Sequence, residues 1–201
     1  QKGASPINGY HEQIAARLQY SLEQVVGRMS EVLNRRTGFT DLCMAGGTAL
    51  NCSCNGKLLS FPHVKRIFVQ PAAADCGTAL GAAVYAHVKL TGKRPTTHFN
   101  HMYWGPQFTN DEIEVVLKQA KVPYRKVEQI GAETAKLIHQ DKIVGWFQGR
   151  MEVGPRALGG RSILANPTKP HMKDAVNNNV KFREHWRPFA PSILAEHMEE
   201  Y

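Results

Sequence analysis

Long apolar runs are missing from this 201-residue sequence: no stretch approaches the roughly 18 uninterrupted apolar residues that suggest a membrane-spanning helix. Its first residues carry no basic segment followed by an apolar run, so no secretory signal is read there and a cytoplasmic protein is expected. Cysteine is sparse, at four residues, and the C-x-C pair Cys52 and Cys54 lacks the C-x-x-C spacing of zinc and redox sites. Together with Cys43 and Cys76 these thiols are expected to be reduced and packed. Compositional bias is also lacking: 42% hydrophobic and 21% charged residues exclude the disordered and fibrous classes and allow a buried core.

What the chain does have is positive charge, +8 overall and unevenly spread. Residues 1–97 hold 11 basic and 5 acidic side chains, and residues 98–201 hold 14 and 12. From Arg150 to Arg187, however, eight Lys/Arg face three acids, Glu152, Asp174 and Glu184. Local salt bridges can satisfy only a minority of those cations, which points to a compact anionic ligand. A nucleic-acid surface would spread its cations along a face with interleaved aromatics, a reading that only Phe182 and Trp186 keep open.

Length exceeds the roughly 100–150 residues of one typical domain, and two domains are expected. Residues 91–108 contain two prolines and two glycines without apolar period, which places the boundary near Pro95, between residues 1–97 and 98–201. Before it, Ile14, Leu18, Leu22, Val25, Met29 and Leu33 recur at three- and four-residue steps, predicting an amphipathic helix from His11 to Arg36 stopped by Gly38. Two strand–loop–helix units follow. "FTDLCMA" (39–45) is a buried strand leading through "GGTALN" into a helix, and "KRIFVQP" (65–71) leads through "AAADCG" into the helix "TALGAAVYAHVKL". The fold class is therefore α/β, and α+β in part.

Beyond the boundary, Thr109 and Glu112 form a T-x-x-E capping box opening a helix. "PYRKVE" (123–128) alternates like a strand, "AETAKLIHQ" reads as helix, "KIVGWFQ" (142–148) as a buried strand and "RSILA" (161–165) as another. "HMKDAVNNNVKF" (171–182) is helical until its asparagines weaken it, and "RPFAPSIL" is extended because proline biases its predecessor toward β geometry. The chain begins at Gln1 rather than Met and stops at Tyr201 within the helical "AEHMEEY", as expected for part of a longer protein.

Four stretches bear on chemistry. The strand–Gly46–Gly47–helix turn suits phosphate approach to backbone N–H groups, though a plain tight turn fits equally. Asp75, alone among small residues after a strand, suits either a metal or the N-cap of the following helix. "GRMEVGPRALGGRSIL" (149–164) sets Arg150, Arg156 and Arg161 on a glycine-rich loop, and Lys181, Arg183 and Arg187 follow in "VKFREHWRPFAP". Guanidinium forks suit bidentate binding of phosphate or carboxylate, and lysine supplies a point charge. In "HFNH", His98 and His101 have a metal-like spacing without a third ligand, so exposed histidines are the preferred reading. Trp186 is left open between stacking on a purine and anchoring its loop.

Taken in order, "MAGGTALNCSCNGKLL", "IFVQPAAADCGTALGAA", "GRMEVGPRALGGRSILANP" and "NNNVKFREHWRPFAPSIL" resemble the NodU/CmcH-type O-carbamoyltransferases, which modify nodulation factors and antibiotics. The resemblance runs through nearly the whole chain. It implies that residues 1–97 are the end of an actin/sugar-kinase-like (RNase H-like) domain and residues 98–201 the beginning of a YrdC-like domain. It further implies that carbamoyl phosphate and ATP give carbamoyl-adenylate and pyrophosphate in the second domain, and that the first passes the carbamoyl group to an acceptor hydroxyl.

By the same resemblance Arg156 and Lys181 are the principal contacts to carbamoyl phosphate or ATP phosphates, with Arg150, Arg161, Ser162, Arg183 and Arg187 in support. Gly46, Gly47, Thr48 and Asn51 fall to the nucleotide or carbamoyl-adenylate site. Asp75 matches the acidic ligand of a metal, typically iron, whose histidine pair in the family lies upstream of Gln1; Mg would accompany ATP. The expected partners are a small-molecule hydroxyl acceptor and, in a homodimer, a second copy of the chain. No membrane is expected, and nucleic acid is disfavoured. Since the family continues beyond Tyr201, this stretch alone is expected not to turn over. Two alternatives stay open: a tRNA threonylcarbamoylation protein, and a non-catalytic nucleotide- or nucleic-acid-binding module.

Overall fold

The computed structural model describes residues 7–96 and 100–200. It divides into two compact units, Gln1–Met102 and Tyr103–Tyr201, each with its own two-stranded sheet. In the first unit the expected long helix, α1 (Gly9–Thr37), opens on an Asn8 capping box and closes on Gly38, whose N–H reaches the Asn34 carbonyl. The apolar stripe is less covered than its period suggests. Ile14, Leu18, Val25, Met29 and Leu33 are exposed, and only Gly27 and Ser30 of α1 are buried among the described residues. The Ser30 hydroxyl donates to the Gly27 carbonyl at 2.7 Å and meets His63 Nε2 at 2.9 Å.

Strand β1 (Asp41–Met44) runs parallel to β2 (Arg66–Val69), with Asp41 opposite Arg66 and Met44 opposite Val69. Between them lie a 3-10 turn, Gly47–Leu50, and helix α2 (Cys52–Leu58). After β2 a second short turn, Asp75–Gly77, leads into α3 (Thr78–Thr91). The two predicted strand–loop–helix units are thus present. Both strands alternate exposed and half-buried positions, so the expectation of a buried strand at residues 39–45 fails: a two-stranded sheet leaves edges and one face uncovered. The core gathers Ala49, Cys54, Leu58, Val64, Ala72 and Ala73. All four cysteines are free, but only Cys54 is buried; Cys43, Cys52 and Cys76 are exposed. The expectation of packed thiols therefore holds at one position.

In the second unit, α4 (Asn110–Gln119) begins at the predicted Thr109–Glu112 capping box. "PYRKVE" is not a strand: residues 123–128 pair with no sheet, and side chains hold them instead, Tyr124 donating to Glu114 at 2.6 Å and Arg125 pairing with Glu133. Helix α5 (Ile130–His139) follows. Strands β3 (Val144–Phe147) and β4 (Arg161–Leu164) are antiparallel, with Phe147 opposite Arg161. Strand β3 is half exposed rather than buried. Helix α6 (His171–Val176) passes into one π turn, Asn177–Lys181, where the three asparagines stand. "RPFAPSIL" carries no regular structure, and Ala195–Glu200 is 3-10.

Candidate active site

The arginine-rich segment is the connection of the β3–β4 hairpin. The Gln148 N–H donates to the Gly160 carbonyl at 2.8 Å and closes the loop at its base. Residues 105–107 lie alongside its entry, with Gly105 N–H donating to the Met151 carbonyl at 2.8 Å and Met151 N–H to the Pro106 carbonyl at 2.9 Å. Tyr103 adds a hydroxyl bond to the Leu158 carbonyl at 2.6 Å. A residue other than glycine does not fit at 160, where a Cβ would lie 2.8 Å from the Arg150 carbonyl oxygen and 3.2 Å from the Glu152 carboxyl group.

Glu152 sits inside this loop, 3% exposed. One carboxylate oxygen accepts from the N–H groups of Leu158 (2.6 Å) and Gly160 (2.7 Å), and more weakly from Arg161 (3.4 Å). The other lies 3.4 Å from Arg161 Nε and has no hydrogen-bond partner. Burial pushes this carboxyl toward a higher pKa, but the backbone N–H bonds outweigh it and hold the group below the usual carboxylate range. Sequence reasoning counted Glu152 only as one of three acids available to the cations; the signal it passed over is a lone acid two residues from Arg150 in a loop with few other polar side chains.

The six predicted cations fall into two groups. Arg161 is turned into its own loop, donating to the Gly154 carbonyl at 2.7 Å beside Glu152. Arg187 pairs with Glu184 at 2.8 Å and lies 5.7 Å from the Trp186 ring. Arg183 donates from Nε to the Asn177 side-chain oxygen at 2.7 Å, and its guanidinium lies 4.7 Å from the Phe189 ring. Arg150, Arg156 and Lys181, by contrast, make no side-chain hydrogen bond or ion pair among the described residues. Ser162 accepts from the Gly159 N–H at 3.2 Å. Trp186 is 52% exposed.

Asn177 organises the second cation segment and is fully buried. Its amide donates to the carbonyls of His185 (3.3 Å) and Arg187 (3.1 Å), and its own carbonyl accepts from the N–H groups of Phe182 and Arg183. Phe182 adopts a left-handed backbone (φ 47°), unusual for an aromatic residue. No hydrogen bond or ion pair joins this segment to the arginine loop among the described residues; each is built from within.

In the first unit, the glycine turn and the Asp75 loop stand at the carboxyl ends of parallel β1 and β2, where α/β sheets bind ligands. Gly46 has φ 94° and donates its N–H to the Ala73 carbonyl at 2.6 Å, tying the two loops together. Gly46, Gly47 and Thr48 are exposed. Asn51 is occupied: it caps α2 by accepting from Cys54 N–H at 2.9 Å and donates to Gln19 at 2.8 Å. Asp75 is exposed and is not the cap of α3, a position Gly77 takes without a side-chain bond. The short turn Asp75–Gly77 puts the acid two residues too early, and its backbone carbonyl accepts from the Thr78 hydroxyl instead.

No three His, Cys, Asp or Glu side chains come together among the described residues, and Asp75, the expected acidic metal ligand, is exposed. His98 of the H-x-x-H pair lies outside the described residues. A cleft of about 330 Å³ between Gln24–Glu31 of α1 and Phe61–His63 has none of the predicted site residues in its lining.

Sequence models of one family match both units: the Carbamoyltransferase N-terminus over residues 3–84 and the Carbamoyltransferase C-terminus over residues 135–201. The chain belongs to the carbamoyltransferase family. Nodulation protein NolO of Bradyrhizobium diazoefficiens is 42% identical over 199 residues, covering 98% of this chain and 36% of that protein. Nodulation protein U of Sinorhizobium fredii is 37% identical over 190 residues, 92% of this chain and 32% of the relative. The 3'-hydroxymethylcephem-O-carbamoyltransferase of Streptomyces clavuligerus is 36% identical over 157 residues, 78% of this chain and 29% of that enzyme. The chain thus spans about a third of the length of these relatives. No helix among the described residues is long and apolar enough to cross a membrane.

Proposed function

We propose that this chain is part of an ATP-dependent O-carbamoyltransferase whose cation loops, between Arg150 and Arg187, bind the phosphates of carbamoyl phosphate and ATP. The observation that carries the reading is the split among the cations: Arg161, Arg183 and Arg187 are spent on building the loops, while Arg150, Arg156 and Lys181 make no side-chain hydrogen bond or ion pair among the described residues. Unpaired cations on internally braced loops favour a compact, highly charged anion.

In the proposed reaction, water hydrolyses carbamoyl phosphate to phosphate and carbamate, whose oxygen attacks the α-phosphorus of ATP. Pyrophosphate departs with the charge, and carbamoyl-adenylate forms. An acceptor hydroxyl then attacks the carbamoyl carbon, loses its proton, and releases AMP. The roles assigned to this chain's residues are to neutralise and orient phosphates: Arg156 and Lys181 in contact, with Arg150 nearby in sequence. Gly46, Gly47 and Thr48, exposed at the ends of β1 and β2, would offer backbone N–H groups to the nucleotide.

The domain reading, an actin/sugar-kinase-like end followed by a YrdC-like beginning, belongs to the same proposal, as does a cytoplasmic enzyme acting in natural-product or nodulation-factor biosynthesis. The acceptor class is a hydroxyl of a small natural product or saccharide, supported by a relative whose name states O-carbamoylation of a 3'-hydroxymethylcephem. The test is pyrophosphate release from ATP by the full-length protein: release is expected only with carbamoyl phosphate present. Release without it, or dependence on bicarbonate and threonine instead, overturns the reading.

A further inference from the structure

We infer that Glu152 is a positioning residue that fixes the arginine loop so that Arg156 is presented outward, a role that rests on the phosphate-binding reading above. Its geometry ties both flanks of the loop apex. On the far side, one carboxylate oxygen gathers the N–H groups of Leu158 and Gly160 at 2.6 and 2.7 Å, with Arg161 N–H at 3.4 Å. On the near side the link runs through Arg161, which faces the second oxygen at 3.4 Å and donates to the Gly154 carbonyl at 2.7 Å. Residues 155–157 are what remains between those ties, and Arg156 is at their centre.

Three further observations support the assignment. Glu152 is buried in a segment crowded with cations, yet it pairs with Arg161, while Arg150 and Arg156 make no side-chain hydrogen bond or ion pair among the described residues. Its second oxygen is buried without a hydrogen bond and faces the Arg161 guanidinium at 3.4 Å. Gly160 has no side chain at the one place where a Cβ would press 3.2 Å from this carboxyl group. A carboxylate accepting backbone N–H groups in a buried site holds them more tightly than a neutral acceptor does. Arg161 accordingly acts through Glu152 rather than on a phosphate.

Glu152→Gln in the full-length protein tests this, because it keeps the shape and one acceptor oxygen but removes the charge and turns an amide toward Arg161. Hydrogen exchange of peptides covering Leu158–Arg161 is expected to accelerate about tenfold, the difference between charged and neutral acceptors. The KM for carbamoyl phosphate is expected to rise by about tenfold with kcat within about twofold, since the contact loosened is a binding one. A merely structural residue would lower the amount of active protein and leave KM unmoved. Should Glu152→Gln fail to fold, Arg161→Ala, which cuts the Gly154 tie, is expected to produce the same KM rise.

Unchanged exchange overturns the inference, and so does faster exchange with unchanged KM. A wild-type protein that ignores carbamoyl phosphate overturns the functional reading instead, and the exchange result, read without substrate, then decides alone whether Glu152 holds the loop.

Discussion

Asn177, fully buried, accepts a 2.7 Å hydrogen bond from Arg183 Nε while its amide donates to the carbonyls of His185 and Arg187. One side chain therefore closes the turn that carries Lys181. Asn177→Ala leaves two carbonyls and a guanidinium without their partner, and is expected to lower stability by about 2 to 3 kcal/mol, seen as a lower urea midpoint. Asn177→Asp keeps the acceptor for Arg183 but sets a carboxylate oxygen against two carbonyls. It should also destabilise, and wild-type stability in both variants would remove Asn177 from this role.

Arg156 and Lys181 make no side-chain hydrogen bond or ion pair among the described residues, so their replacement is expected to leave the folded state alone. Arg156→Ala and Lys181→Ala should each change stability by within about 0.5 kcal/mol, as substitutions away from built features do. A large loss in the denaturation midpoint would show that these side chains brace the fold.

Gly160→Ala places a methyl group 2.8 Å from the Arg150 carbonyl oxygen, a backbone atom that cannot swing aside. The expected cost is about 1 to 3 kcal/mol from forced shifts, with faster exchange over residues 150–161. A neutral effect on both measurements would contradict the close approach of residue 160 to the Arg150 carbonyl.

Acid should act on the arginine loop through Glu152. Its folded carboxyl lies below the usual range because backbone N–H bonds outweigh burial. The stabilisation is therefore complete above the unfolded carboxylate pKa, about 4.3, and is lost as pH falls through the lower folded value. Glu152→Gln lacks a titrating group there, so its stability should fall less than that of the wild type across this acid window. Parallel curves for the two proteins would contradict the assignment.

Local signals in the sequence were strong where one segment decides its own shape. The three- and four-residue apolar steps ending at Gly38 predict α1, and Thr109 with Glu112 marks the start of α4. The arginine loop between "KIVGWFQ" and "RSILA" was legible for the same reason, with a strand on each side. What sequence could not show depends on neighbours. "PYRKVE" has the alternation of a strand but no strand to pair with, and Tyr124 and Arg125 bond to helical carboxylates instead. Asp75 is an excellent cap by type, yet the intervening 3-10 turn puts Gly77 at the capping position. Burial of Glu152 and Asn177 was likewise invisible, because both are polar residues whose partners are mainly backbone groups exposed by loop geometry.

The most direct measurement is pyrophosphate release from ATP by the full-length protein as carbamoyl phosphate is varied, for the wild type, Arg156→Ala, Lys181→Ala and the double variant. Release that depends on carbamoyl phosphate in the wild type, and that at subsaturating carbamoyl phosphate falls by roughly 100-fold in each variant, as when a charge-assisted binding contact is removed, is the predicted result. A double variant that retains wild-type release would contradict the placement of the phosphate site on these loops.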